Sequence, residues 1–338
     1  MKLLPLISLI GGILKNKIGR QTSLVLAHEV TKECNLKCTF CTYWRERRVS
    51  ELDLEEIKGI IRQAKELGVC MYCVTGGEPL LRGDIAEIVR YASRENMITS
   101  LVTNGVLLAD RIPDIAPHLD FLTISIDTLN RDTYKKLRGY DCLDRVVAGV
   151  DKYSEVRDDF PGMNVNVNSV LMADTLNEVV DLVYFAADRG IGITFEPVVP
   201  QGVAGCPGWG SEKDFDRVLK ELLRLKQEHH NVIWNSEYYL RWLLERRSYI
   251  CHSEALIRVD SRGNVTAPCY DHPDSMIIGN ACEKRLKAIV KAAKALHAKA
   301  HHCGRHDCYL MCYVEPSLAI EGRIAAFKGL YCMLNKLM

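Results

Sequence analysis

Six short apolar runs rich in β-branched residues punctuate the chain at 24–30, 69–76, 98–103, 121–126, 163–171 and 191–198. The stretches between them, near 53–67, 84–95, 107–117, 142–157 and 175–189, read as amphipathic helices, with Asp53 and Asp174 placed to cap two of them. Strict alternation of this kind needs crossover connections and therefore a parallel sheet. Six units predict an open, partial (β/α)6 barrel rather than a closed eight-stranded one, and ligands of such sheets gather beyond the carboxyl ends of the strands. Three loops meet that condition together: "EVTKECNLKCTFCTYW" (29–44) after the first run, "GGEP" (76–79) after the second and "TNG" (103–105) after the third.

The first of these loops carries Cys34, Cys38 and Cys41. Thiolates are soft ligands suited to iron-sulfur clusters or zinc, and a cluster normally takes four cysteines. Three in one loop leave a metal corner open, and no His or Cys follows within about twenty-five residues to close a zinc tetrahedron. The fourteen cysteines are clustered, unlike the spread framework of a small secreted domain, which favours metal sites in a reducing cytoplasm. Lys plus Arg is 44 against 43 for Asp plus Glu, so no net field draws the chain to nucleic acid, and RNA or DNA is disfavoured as a partner.

The spacing CxxxCxxC, with Phe40 before the third cysteine and "GGEP" after the second strand, resembles the radical S-adenosylmethionine (SAM) superfamily over roughly residues 24–200. The resemblance implies a 4Fe-4S cluster on Cys34, Cys38 and Cys41, whose open iron is chelated by SAM. It further implies reductive cleavage of SAM to methionine and a 5′-deoxyadenosyl radical that removes hydrogen from an unactivated C–H bond. By the same resemblance Gly76, Gly77 and Glu78 bind the methionyl amino group and Pro79 shapes the turn. Ser125 and Asp127, ending the fourth strand, correspond to residues that contact ribose or the methionyl carboxylate; ordinary capping of the next turn is the alternative. Asn166 and Asn168 share one strand face and would look into the barrel, where cofactor hydroxyls could partner them. For Thr103, Asn104 and Glu196, ligand contact and structural hydrogen bonding stand equal.

A second set follows: Cys251, Cys269, Cys282, Cys303, Cys308, Cys312 and Cys332. "CHSEALIRVDSRGNVTAPC" reads as a hairpin turning at Gly263-Asn264. Cysteines flanking a hairpin before "CGRHDCYLMC" resemble the SPASM/twitch extension of the same superfamily, which implies at least one auxiliary 4Fe-4S cluster. The tight group here has three cysteines where the fuller pattern has four. One auxiliary cluster is expected on Cys251, Cys269, Cys312 and one more. A second would use Cys303, Cys308 and Cys332 with Cys282 or a histidine. Zinc is the rival, since His297, His301, His302 and His306 crowd the region. Cys70, Cys73 and Cys142 read as apolar filler, and Cys206 as a less favoured ligand.

These readings divide the chain into an N-terminal amphipathic segment (1–22), a TIM-like partial barrel (23–200), a helical connector (201–250) and a small cysteine-rich auxiliary-cluster domain with a C-terminal helix (251–338). The segment "MKLLPLISLIGGILKNKIGR" is too short for a spanning helix. Leu6, Leu9, Ile10, Ile13 and Leu14 on one face make it either an interfacial helix or one packed on the barrel. Its end, "ILKNKIGR", resembles radical SAM enzymes acting on hopanoid or archaeal isoprenoid lipids. The lead expectation is therefore a cytoplasmic enzyme, peripheral on a membrane, abstracting hydrogen from a lipid chain and fed by a ferredoxin or flavodoxin type of electron donor. The alternatives are a peptide or protein maturase, disfavoured because only about twenty residues precede the first strand, and a non-catalytic iron-sulfur or zinc protein. Tyr43 and Trp44 are expected to be buried rather than to meet substrate.

Overall fold

The computed structural model describes residues 3–19, 22–45, 50–199, 208–269, 272, 274–300 and 310–322. Each of the six apolar runs becomes a strand: β1 (Val25–Glu29), β2 (Met71–Thr75), β3 (Ile98–Thr103), β4 (Phe121–Ser125), β5 (Asn164–Leu171) and β6 (Gly192–Pro197). They pair in parallel in chain order, consecutive units lying side by side. The fold is the mixed α/β, mostly parallel, partial barrel that the alternation implies.

The crossover helices bury regular apolar faces against this sheet. Leu54–Glu66 places Ile57, Ile60, Ile61 and Ala64 inward and starts from a capping box in which Asp53 and Glu56 satisfy each other's backbone N–H groups. Ile85–Arg94, Leu108–Ile115, Leu143–Val156 and Val179–Asp188 follow the same logic. A further helix, Arg131–Arg138, is absent from the sequence reading. Two helices, Glu212–Glu228 and Glu237–Glu245, then pack together and close the β6 edge. There the Asn235 side chain accepts from Phe195 N–H at 2.7 Å and donates to Phe195 O at 2.9 Å, taking the place of a neighbouring strand.

The hairpin after Cys251 forms from β7 (Leu256–Val259) and β8 (Asn264–Ala267), and a third strand, β9 (Met276–Asn280), adds to it. It does not stand apart. β7 pairs in parallel with β1, so one sheet runs β6-β5-β4-β3-β2-β1-β7-β8-β9. The helix Met311–Ile320 leans back on the barrel: the Glu196 carboxylate accepts from Met311 N–H, and Glu315 accepts from Ser236 N–H at 3.1 Å.

The N-terminal segment forms a helix, Leu3–Lys17, with two faces. Ile13, 4% exposed, packs with Leu9, Leu24, Cys70, Ala255 and Ile320, while Ile7 (56%), Ile10 and Leu14 (54%) point outward. The single apolar face expected of Leu6, Leu9, Ile10, Ile13 and Leu14 is thus split among its described side chains, because Gly12 sits so close to Leu24 that the helix seats on the protein's own floor. Among the described residues no helix is long and apolar enough to cross a membrane.

Candidate active site

The three loops predicted to share a rim do so through backbone contacts. Past the end of β2 the chain keeps pairing with the cysteine loop: Gly77 N–H donates to Thr31 O and Glu78 N–H to Glu33 O, both at 2.7 Å. A Cβ at Gly76 would lie 2.3 Å from Thr31 O, and one at Gly77 would lie 2.2 Å from Glu33 O, so both positions demand glycine. Gly76 also has φ +142°, which L side chains rarely adopt.

Glu78 then locks the second loop to the third. It is fully buried; Oε1 accepts from Thr103 Oγ1 at 2.7 Å and Leu80 N–H at 3.0 Å, and Oε2 accepts from Asn104 N–H at 2.7 Å. Burial raises its pKa, and these three donors oppose the rise. Both oxygens of this carboxylate are thus engaged inside the protein, and backbone lines the turn. Pro79 is buried and starts the short 3-10 turn Pro79–Leu81 capped by Glu78. Asn104 completes the contact: its Nδ2 donates to Asn35 Oδ1 at 2.7 Å and lies 3.9 Å from Cys34 Sγ.

Cys34 and Cys41 are half-buried and Cys38 is buried. Burial pushes the Cys34 thiol up to about 11 and raises Cys38 and Cys41 as well, and each pair of sulfurs that interacts adds to the rise. None of the described cysteines is in a disulfide. Among the described residues no three Cys, His, Asp or Glu side chains already converge on one point, so fit to a cluster rests on the donor set. That set is suitable: three grouped thiols that burial keeps from ionising without a cation, with Leu36 N–H donating to Cys34 Sγ at 3.4 Å and Arg138 Nη1 to Cys38 Sγ at 3.7 Å. Phe40 packs against the barrel wall with the Arg138 guanidinium 5.3 Å from its ring centre.

The loop's far end is tied to the hairpin. Tyr43 Oη donates to Glu29 Oε1 at 2.6 Å, and Arg258 of β7 donates to the same oxygen and to Tyr43 Oη at 3.0 Å. Burial alone would raise the Glu29 pKa, yet Arg258 and Lys32 hold it below the ordinary value. Trp44 Nε1 donates to Cys38 O at 3.0 Å.

Deeper in the barrel, Asn166 accepts from Thr123 Oγ1 at 2.9 Å and donates to Thr194 Oγ1 at 3.1 Å, and Asn168 donates to Glu196 Oε1 at 2.8 Å. The polar strand face is therefore partnered by its own neighbours. Ser125 is half-buried at the end of β4. Asp127, 1% exposed, accepts from Val170 N–H at 2.9 Å and pairs with Arg138 at 2.5 Å.

In the second set, Cys251 precedes β7 and Cys269 follows β8, so both lie at one end of the hairpin. They are buried in one cluster with Leu310 and Tyr313, and Cys251, Cys269 and Cys312 all act electrostatically on Tyr313. Cys282 is exposed beside Gly263 at the opposite, turn end, which separates it from the other three. His297 is buried and hydrogen-bonded to Ser253 Oγ at 2.8 Å. Cys70 and Cys73 occupy β-strand surroundings as filler. Cys206, Cys303, Cys308, Cys332, His301, His302 and His306 lie outside the described residues.

Residues 28–186 match the sequence profile of the Radical SAM superfamily. The chain carries a Radical SAM domain. Its cofactors are a 4Fe-4S cluster and SAM, and Cys34, Cys38 and Cys41 are the residues that would hold the cluster. Bound there, such a cluster would supply the electron for reductive cleavage of SAM.

Relatives by sequence carry one name. The chain is 37% identical over 184 residues to a "Probable GTP 3′,8-cyclase" of Pyrococcus abyssi, a match covering 52% of this chain and 56% of that one. It is 37% identical over 192 residues to that of Methanopyrus kandleri (56% and 60%), and 29% identical over 197 residues to the "GTP 3′,8-cyclase" of Clostridium perfringens (56% and 59%). The match spans little more than half the length of these curated relatives. In fold it is similar to Streptococcus suis SuiB bound to SAM, with TM-score 0.70, 20% identity and coverage of 83% and 68%. It is also similar to anSMEcpe bound to SAM, with TM-score 0.65, 18% identity and coverage of 92% and 96%. The expected lipid substrate is overturned: the relatives are named for a reaction on GTP, and the N-terminal helix that suggested a membrane uses one face to pack on the barrel.

Proposed function

We propose that this radical SAM enzyme takes a hydrogen atom from a purine nucleotide, with GTP as the lead substrate. The chemistry rests on one observation, the convergence of the Cys34–Cys41 loop with the GGEP and TNG turns on a single rim. The substrate class rests on the relatives named GTP 3′,8-cyclase. Joining the 3′ and 8 positions of GTP breaks a C–H bond at C3′, an inert aliphatic bond that warrants a carbon radical.

The chain's own residues have separable tasks in this reading. Glu78 and Asn104 fix the three loops relative to one another, so that the cluster and the methionyl end of SAM meet at a set distance. Gly76 and Gly77 let backbone approach that end closely. Cys251, Cys269 and Cys312 would hold a SPASM/twitch-like auxiliary cluster in the hairpin lobe, with a fourth ligand from the adjoining cysteine group. A ferredoxin or flavodoxin type of donor would supply the electron.

The test is anaerobic reconstitution with iron, sulfide, reductant, SAM and GTP carrying deuterium at C3′. Deuterium should appear in 5′-deoxyadenosine. Unlabelled 5′-deoxyadenosine at a rate indifferent to GTP would remove the nucleotide reading while leaving radical chemistry in place.

A further inference from the structure

The helix Arg131–Arg138 ends against the cysteine loop, and its last residue has no part in the chemistry described so far. Lys37 N–H donates to Arg138 O at 3.0 Å, and Thr39 N–H donates to Leu137 O at 2.9 Å, so the loop is pinned on both sides of Cys38. Gly139, at φ +80°, is packed so tightly that a Cβ would lie 2.9 Å from Lys37 O. This arrangement delivers a cation to the sulfur: Arg138, 6% exposed, aims Nη1 at Cys38 Sγ and Nη2 at Asp127 Oδ2. A guanidinium keeps its charge throughout the ordinary pH range, and Asp127 lies against it as a counter-ion.

We propose that Arg138 and Asp127 form a buried charge pair that sets the reduction potential of the cluster on Cys34, Cys38 and Cys41. The inference rests on the cluster assignment made above. Reduction adds one negative charge to the cluster, and a guanidinium hydrogen-bonded to a ligand sulfur stabilises that charge and raises the potential. SAM is hard to reduce, so an uncompensated cation at that distance would work against the reaction. Asp127, paired with the other terminal nitrogen of Arg138, supplies the compensation. The pair therefore supports the Cys38 thiolate locally and limits the rise in potential.

The opposed signs give the test. Reconstituted protein is titrated with redox mediators, and the reduced cluster is followed by electron paramagnetic resonance in wild type, Arg138→Gln, Arg138→Lys and Asp127→Asn. Arg138→Gln should disfavour reduction about tenfold, which is about 59 mV for a one-electron couple. Asp127→Asn should favour it by a similar factor, and Arg138→Lys should stay within about threefold of wild type. Should Arg138→Gln fail to load iron, the Asp127→Asn/Arg138→Gln pair, which leaves no buried charge alone, takes its place and should be about tenfold harder to reduce than Asp127→Asn, within about threefold of wild type. Potentials that are unchanged, or that move the same way in Arg138→Gln and Asp127→Asn, would overturn the proposal and leave these residues a purely structural role. A wild-type protein that takes up no cluster would instead bring down the cluster assignment itself.

Discussion

His28 sits inside β1 with no exposure, its Nδ1 hydrogen-bonded to Tyr72 Oη at 3.1 Å. Burial, helped by Arg82, lowers its pKa to about 4. The neutral ring is the folded form, and the unfolded chain takes up a proton near the ordinary pKa of about 6.5. Stability from this residue is therefore full above about pH 6.5 and is lost as pH falls toward 4, by about 3 kcal/mol over the window. Urea unfolding of the cluster-free chain between pH 7 and 4.5 should show this slope, and His28→Gln should flatten it. Gly77→Ala should be severe for a different reason, because its Cβ would collide with Glu33 O. A loss of about 1 to 3 kcal/mol and of SAM binding by calorimetry is expected. At this scale the sequence showed which residues gather at the rim but not what each side chain touches. Glu78 looked like a ligand for an ammonium, and its partners, Thr103 and Asn104, lie on a loop whose approach no local pattern records.

The N-terminal helix shows how one element can be read correctly and placed wrongly. Its periodicity is plain, yet the face that packs is chosen by Gly12 and Ile13 meeting Leu24 and Ile320, residues far away in sequence. Ile13→Ala should cost about 2 to 4 kcal/mol in thermal or urea unfolding, whereas Ile10→Ala should change stability by less than about 0.5 kcal/mol. Equal losses at both positions would mean that the outward face is also covered. The helix Arg131–Arg138 was missed for the opposite reason: "RDTYKKLR" is mostly charged, with little apolar periodicity to detect. Its signals lay at its ends, where Asn130 accepts from Thr133 N–H and Gly139 closes the helix in the left-handed conformation. The hairpin β7–β8 was legible from its turn, but its parallel docking on β1 was not, since strand order across a long connection leaves no local trace.

Over the whole molecule, the two cysteine regions are joined through one buried group of charges. Arg258 on β7 meets Glu29 on β1 and Tyr43 beside Cys41, and Arg258 also interacts with Tyr313 next to Cys312. Removing that cation leaves Glu29 buried with only Lys32 to compensate it, so Arg258→Ala should destabilise the fold by about 3 kcal/mol in urea unfolding, and Arg258→Lys by less. A loss confined to the hairpin lobe, with the barrel unaffected, would show that the two regions fold independently. The central claim is that the Cys34, Cys38 and Cys41 loop holds the cluster that opens SAM. The most direct measurement compares wild type with the Cys34, Cys38 and Cys41→Ala triple variant, reading iron content and 5′-deoxyadenosine formed from SAM under reductant. Loss of about four irons per chain together with all 5′-deoxyadenosine is the predicted result. Unchanged 5′-deoxyadenosine formation in the triple variant would contradict the account.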